Sequence, residues 1–219
     1  WTPDSREVVY TAAGGDTSSG VMRGPADGSV LPHRIRPFSG AGSIARLSPD
    51  GGWLLLEDGG GNVLAARTTG DTALIDLLRR SSIDVAPRVS PDGRWLAYLS
   101  DESGQRQLYV TPFPDPRSAK RAVSTESAIF AMWSPDGREL AYLTIGADLV
   151  AAPVLPGAAF AVGEKKVLFN GGVLGLTSLT YSHDGKRFLA VVPVGRANSL
   201  DELIMVENFM SEVRATMKR

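Results

Sequence analysis

Five segments of the chain line up without a gap, and their spacing restricts the fold more than any other feature of the sequence. WTPDSREVVYT begins at Trp1, LSPDGGWLLLE at Leu47, VSPDGRWLAYL at Val89, WSPDGRELAYL at Trp133 and YSHDGKRFLAV at Tyr181. Successive copies start 42 to 48 residues apart. A period of that size marks a supersecondary unit that cannot bury its apolar face alone and must stack against copies of itself.

Each column of the repeat has a physical reading. The first position is apolar or aromatic (Trp1, Leu47, Val89, Trp133, Tyr181) and is expected to end an inner strand and point into the packing between units. Ser or Thr, Pro, Asp and Gly follow, with Ser5 in the glycine position of the first copy and His183 in the proline position of the last. Proline presets φ, the Asp side chain bonds nearby amides and Gly accepts positive φ, so these residues make a tight turn. The chain then enters an apolar run: 8–10, 54–56, 96–98, 140–142 and 188–190. Continuous apolar runs bounded by turns mark strands buried on both faces.

The third copy predicts the rest of the unit, with strands over 87–90, 95–100, 107–111 and 120–124. In the fourth, 148–152 and 166–169 take the third and outermost places, and basic residues on outer strands discourage pairing with other chains. The expected fold is therefore all-β, a β-propeller of four-stranded antiparallel blades forming one domain over 1–219. Its repeats span about 1–39, 40–80, 81–125, 126–170 and 171–219. The first copy lacks an inner strand, so part of the ring is expected upstream of Trp1. The fifth carries an insertion around 195–200, a third strand over 203–206 and a short terminal helix over 209–218, capped by Asn208.

Composition removes several functions. Gly (24) and Pro (14) cluster between short apolar runs, as a turn-rich β chain requires. A formal net charge of −1 supplies no global field for nucleic acid. The chain has no cysteine, which excludes disulfides, thiolate nucleophiles and cysteine metal sites. The most apolar stretch, 151–162, is interrupted by Pro153, Pro156 and Gly157, so no membrane insertion by this segment is expected.

The segments SPDGRWLAYLSDESG and WSPDGRELAYL resemble the TolB-type, WD-repeat-like propeller family. The longer series from IDVAPRVSPDGRWLAYLSDESGQRQLYVTPFPDP through VLFN and YSHDGKRFLAVVPV to LIMVENFMSEVR is similar to the carboxy-terminal propeller of bacterial eukaryotic-like serine/threonine protein kinases. That resemblance implies a kinase domain and a membrane span in the parent protein, with the propeller on the extracytoplasmic side. The family's last strand leads into Asn-Trp, whereas Asn208 is followed here by Phe209. A Gly-rich phosphate loop, a His-Arg-Asp loop and an Asp-Phe-Gly motif are all absent from the sequence.

No catalytic, cofactor-binding or metal-binding residue is expected. The Asp column (Asp4, Asp50, Asp92, Asp136, Asp184) reads as turn-formers, because each carboxylate belongs to a different repeat. His183 reads as a surface residue and His33 as part of a loop beside Pro32. The Gly-rich 58–62 reads as a hairpin turn, and no Gly-x-Ser-x-Gly elbow of a serine hydrolase occurs. Trp1, Trp133, Tyr181, Tyr10, Tyr98 and Tyr142 read as core. Two residues before each turn Ser stand Arg46, Arg88, Met132 and Thr180, which alternation turns toward a central channel or an adjoining blade. The two arginines could hold an anionic ligand, or pair structurally with a carboxylate such as Asp84 or Asp50. The expected role is non-catalytic binding of a protein, peptide or small molecule, without cofactor. A TolB-like periplasmic scaffold and an accessory propeller of a serine hydrolase are the alternatives.

Overall fold

A computed structural model describes residues 1–12, 20–37, 44–58, 60–78, 82–117, 119–172 and 178–191. These residues form seventeen strands and no α-helix. The insertion, third strand and terminal helix expected over 195–200, 203–206 and 209–218 lie outside the described residues. The chain separates into two compact units, Trp1–Thr125 and Glu126–Arg219.

The first unit holds three antiparallel meanders. β1 (Glu7–Ala12), β2 (Gly20–Pro25) and β3 (His33–Arg36) make a three-stranded sheet. The second sheet is four-stranded and comprises β4 (Ile44–Leu47), β5 (Trp53–Glu57), β6 (Val63–Arg67) and β7 (Ile75–Leu78). The third comprises β8 (Asp84–Val89), β9 (Trp95–Ser100), β10 (Gln107–Pro112) and β11 (Arg121–Ala122). Within each sheet the strands lie side by side in chain order, so each repeat folds on itself before it meets its neighbour.

β5 shows why the runs after the turns are continuously apolar. Leu54 and Leu56 pack with Val21 of the first sheet, whereas Leu55 joins Val89, Leu96 and Tyr98 of the third. Both faces of the strand are thus covered. Each fully buried leucine of this kind contributes about 1.5–3 kcal/mol relative to exposure. Trp53 and Phe113 close the second cluster edge to face, with centroids 5.4 Å apart.

The second unit contains a four-stranded sheet of β12 (Ala128–Trp133), β13 (Glu139–Thr144), β14 (Asp148–Pro153) and β15 (Lys166–Asn170). β16 (Ser178–Tyr181) and β17 (Phe188–Val191) form a two-stranded sheet. Met132, Ala141, Leu143, Leu149 and Phe169 pack there with Leu179 and Ala190.

The turn that leads into β1, β5, β9, β13 and β17 is the same device five times. The hydroxyl of Thr2, Ser48, Ser90, Ser134 or Ser182 donates to the Asp two residues on. That hydroxyl also accepts the amide five residues on, at 2.9 to 3.0 Å. The Asp in turn accepts the amide two residues beyond itself, at 3.0 to 3.2 Å. Gly51, Gly93, Gly137 and Gly185 sit at φ between 69° and 72°, and Ser5 occupies the same left-handed region at 58°.

Several expectations need correction. Trp1 is 72% exposed and Tyr10 40%, so these two aromatics are not core, whereas Tyr98 and Tyr142 are buried. The first copy has no inner strand, as expected: among the described residues β1 is an edge strand and lacks the inner partner that β9 and β13 have. The inner strand of the third repeat starts at Asp84 rather than at 87, and the outer one shrinks to Arg121–Ala122. His33 opens strand β3 instead of lying in a loop.

Candidate ligand-binding site

The leading strands β4 and β8 of the first unit bring Arg46 and Arg88 together. Arg46 pairs in register with Leu55, and Ile44 with Glu57, so Arg46 and Glu57 project from one face of the second sheet. On β8 a bulge interrupts the register between Val85 and Arg88, and inside it Ala86 adopts φ 55°. A non-glycine residue in that region costs about 1–3 kcal/mol and marks an arrangement imposed by its surroundings. The cause is visible: the Ala86 N–H donates to Glu57 Oε2 at 2.6 Å. Glu57 is only 6% exposed.

The Glu57 carboxylate thus lies near enough to influence the charge of both guanidinium groups. Burial, and after it the charge of Arg46, push the Arg88 guanidinium down to about 10, with Glu57 acting the other way. Arg46 is lowered as well, chiefly by burial, with Glu57 acting the other way. The Arg46 side chain forms no hydrogen bond among the described residues, and its Nε is occluded from solvent together with Glu57 Oε1. Both arginines keep part of their side chains exposed.

Glu57 is a carboxylate beside these arginines that the sequence reading did not name. Asp50 is occupied by its own turn, where Ser48 and the Gly52 amide, with Arg67 beyond, hold it below the usual carboxylate range. Asp84 is fully buried and accepts a bond from the Ser82 hydroxyl. Glu57 escaped notice although a signal existed. Its column otherwise reads Thr11, Leu99, Leu143 and Val191, so it is the one ionisable side chain where the repeat places no charge.

The other two candidates belong to the second unit. Met132 is 6% exposed and packs in the core with Ala141 and Leu179. Thr180 is exposed on β16. A second polar site in the first unit is a cavity of about 440 Å³ between the first and second sheets, lined in part by Arg23, Arg36 and Arg67. All three of these cations are engaged: Arg23 with Glu7, Arg36 with the Thr72 carbonyl, and Arg67 over the Trp53 ring at 4.1 Å. Among the described residues no three His, Asp or Glu side chains are grouped to hold a metal ion.

Comparison with solved structures decides the fold. TolB from Acinetobacter baumannii is 19% identical, with 89% of this chain and 48% of that one covered at a TM-score of 0.67. The Cps50 (Swd1) β-propeller domain from Myceliophteria thermophila is 14% identical, with coverage of 88% and 64% at a TM-score of 0.61. The fold is a β-propeller. A prolyl endopeptidase also matches this propeller, at 18% identity and a TM-score of 0.54, over 87% of this chain and 31% of that one. The chain thus spans less than two thirds of each of these proteins. No family model and no curated protein matches it. In a propeller the sheets surround a central channel, and β4 and β8 are the leading strands of their blades.

Proposed function

We propose that this propeller is a non-catalytic binding module whose recognition surface includes Arg46 and Arg88. One observation carries the reading: these two cations are half-buried near one another on leading strands, and the Arg46 Nε is occluded from solvent with no described acceptor. The carboxylates that could suggest acid/base chemistry are instead held in their turns by hydroxyl and amide donors. Function belongs to sites rather than folds, and the one carboxylate beside the two arginines, Glu57, is buried and tied to the Ala86 amide.

The resemblance of the SPDGRWLAYL and LIMVENF segments supports a parent that is a bacterial transmembrane serine/threonine kinase, with this propeller as its extracytoplasmic sensor or interaction domain. Likeness to TolB supports a second reading, a periplasmic protein-interaction scaffold. No helix among the described residues is long and apolar enough to cross a membrane, so either reading places any anchor in other segments. Two measurements test the proposal. Thermal-shift screening of peptides and small metabolites should return a ligand whose saturable binding disappears in Arg46→Gln and Arg88→Gln. Turnover of generic peptide or ester substrates by the purified chain, abolished by a point substitution, would overturn the non-catalytic reading. Autophosphorylation of the parent protein, altered by the ligand, separates the kinase reading from the scaffold.

A further inference from the structure

The cavity of about 440 Å³ between the first and second sheets has the size of a small-molecule site, about 300–1,000 Å³. Its floor is apolar. Val9, Leu47 and Leu54 line it and belong to the cluster that packs the two sheets together. Charged groups stand around that floor, each held by a contact that uses only part of its bonding capacity. Arg36 donates one terminal nitrogen to the Thr72 carbonyl. Arg67 lies over the Trp53 ring at 4.1 Å, held by the ring rather than by a hydrogen-bond acceptor. Asp4 and Asp50 take the hydroxyl and amide donors of their turns on Oδ1, so Oδ2 of each remains for a further donor. Donors and acceptors fixed beforehand lose little freedom when a ligand arrives, which removes part of the cost of binding.

The charges around the cavity balance. Arg23, Arg36 and Arg67 line it with Asp4 and Asp50, and Arg23 is paired with Glu7, so three cations meet three carboxylates. An entering anion would gain the arginines and be opposed by Asp4 and Asp50, and a cation would meet the reverse. A group that donates and accepts at once suits both walls, and a hydroxyl is such a group. Several hydroxyls on a C–H framework match the walls and the floor together. We infer that this cavity binds a neutral saccharide. Its hydroxyls bridge the Arg36 and Arg67 donors and the Asp4 and Asp50 acceptors, and its C–H face rests on Val9, Leu47 and Leu54. Leu47 and its neighbour Arg46 project from opposite faces of β4, so this site is separate from the one proposed above.

The test is an NMR titration of the whole chain that follows the backbone amide signals. Neutral probes are the methyl glycosides of glucose, galactose, mannose and N-acetylglucosamine, and glucuronate and glucosamine are the charged ones. At least one neutral glycoside should bind saturably and more tightly than either charged sugar. The shifts should centre on Gly51, Thr68 and Thr69, which line the cavity. Arg67→Gln should weaken that binding about tenfold, the effect of losing a hydrogen bond from a charged donor. Thr69→Trp, which puts a bulky ring on an exposed part of the lining, should abolish it at an unchanged melting temperature. The second variant stands in if the first does not fold. Tighter binding of glucuronate or glucosamine than of every neutral glycoside would overturn the inference. So would shifts centred elsewhere, affinity unchanged in both variants, or no saturable response up to the solubility limit of the probes.

Discussion

Glu57 Oε2 accepts the Ala86 amide at 2.6 Å and so joins the second strand of one blade to the leading strand of the next. The bond reaches into a bulge where Ala86 holds φ 55°, and it sits beside two guanidinium groups. Glu57→Ala should therefore cost more than the loss of one hydrogen bond, because it also removes the negative charge that offsets the burial of Arg46 and Arg88. Breaking a buried charged cluster costs about 3–5 kcal/mol, and partial exposure of the arginines brings the expected loss to about 2–3 kcal/mol. Urea unfolding measures it. Adding Arg88→Met should recover part of the loss. Additive effects of the two changes would show that the groups do not interact.

The turn glycines separate backbone strain from steric contact. A Cβ at Gly93 would meet no atom within 4 Å, yet φ is 72°, so Gly93→Ala should cost about 1–2 kcal/mol from conformation alone. At Gly51 the added carbon would also lie 3.0 Å from the Pro3 ring. Gly51→Ala should lower the melting temperature more than Gly93→Ala does. The reverse order would show that the blade contact through Pro3 yields freely.

Ser90 is 2% exposed, and its hydroxyl both accepts the Trp95 amide and donates to Asp92. Removing it strands a buried amide, at about 1–3 kcal/mol. Ser182 makes the same bonds at an exposed turn, where water replaces them. Chemical denaturation of Ser90→Ala and Ser182→Ala should show a clear loss for the first and a loss within about 0.5 kcal/mol for the second.

Stability should decline at both ends of the pH scale. Burial, then hydrogen bonds to Glu126 and Glu139, raise the phenols of Tyr142 and Tyr181 above the ordinary tyrosine value. Above about pH 10 the unfolded chain loses these protons while the fold retains them, so stability falls as pH rises. In acid the signs reverse. Hydroxyl and amide donors hold Asp50 and Asp136 below their usual range. Their contribution is complete above about pH 5 and is lost as pH falls through the folded values. Urea midpoints between pH 8 and 11 should show a shallower decline for Tyr142→Phe than for the parent chain.

The repeat column of hydroxyl, Pro, Asp and Gly determined the turns, because every bond in them spans five residues or fewer and the donors and acceptors are written side by side. The apolar runs likewise determined that strands such as β5 and β9 are covered on both faces, since only burial tolerates three consecutive large apolar side chains. Exposure of Trp1 and Tyr10 was not legible, because a column records what a strand resembles and not whether a neighbour covers it. The meeting of Arg46, Glu57 and Arg88 was decided by tertiary structure alone. Register across β4 and β5 and a bulge in β8 bring together side chains up to 42 residues apart, and charge–charge contact depends on that distance in space rather than on the period of the chain.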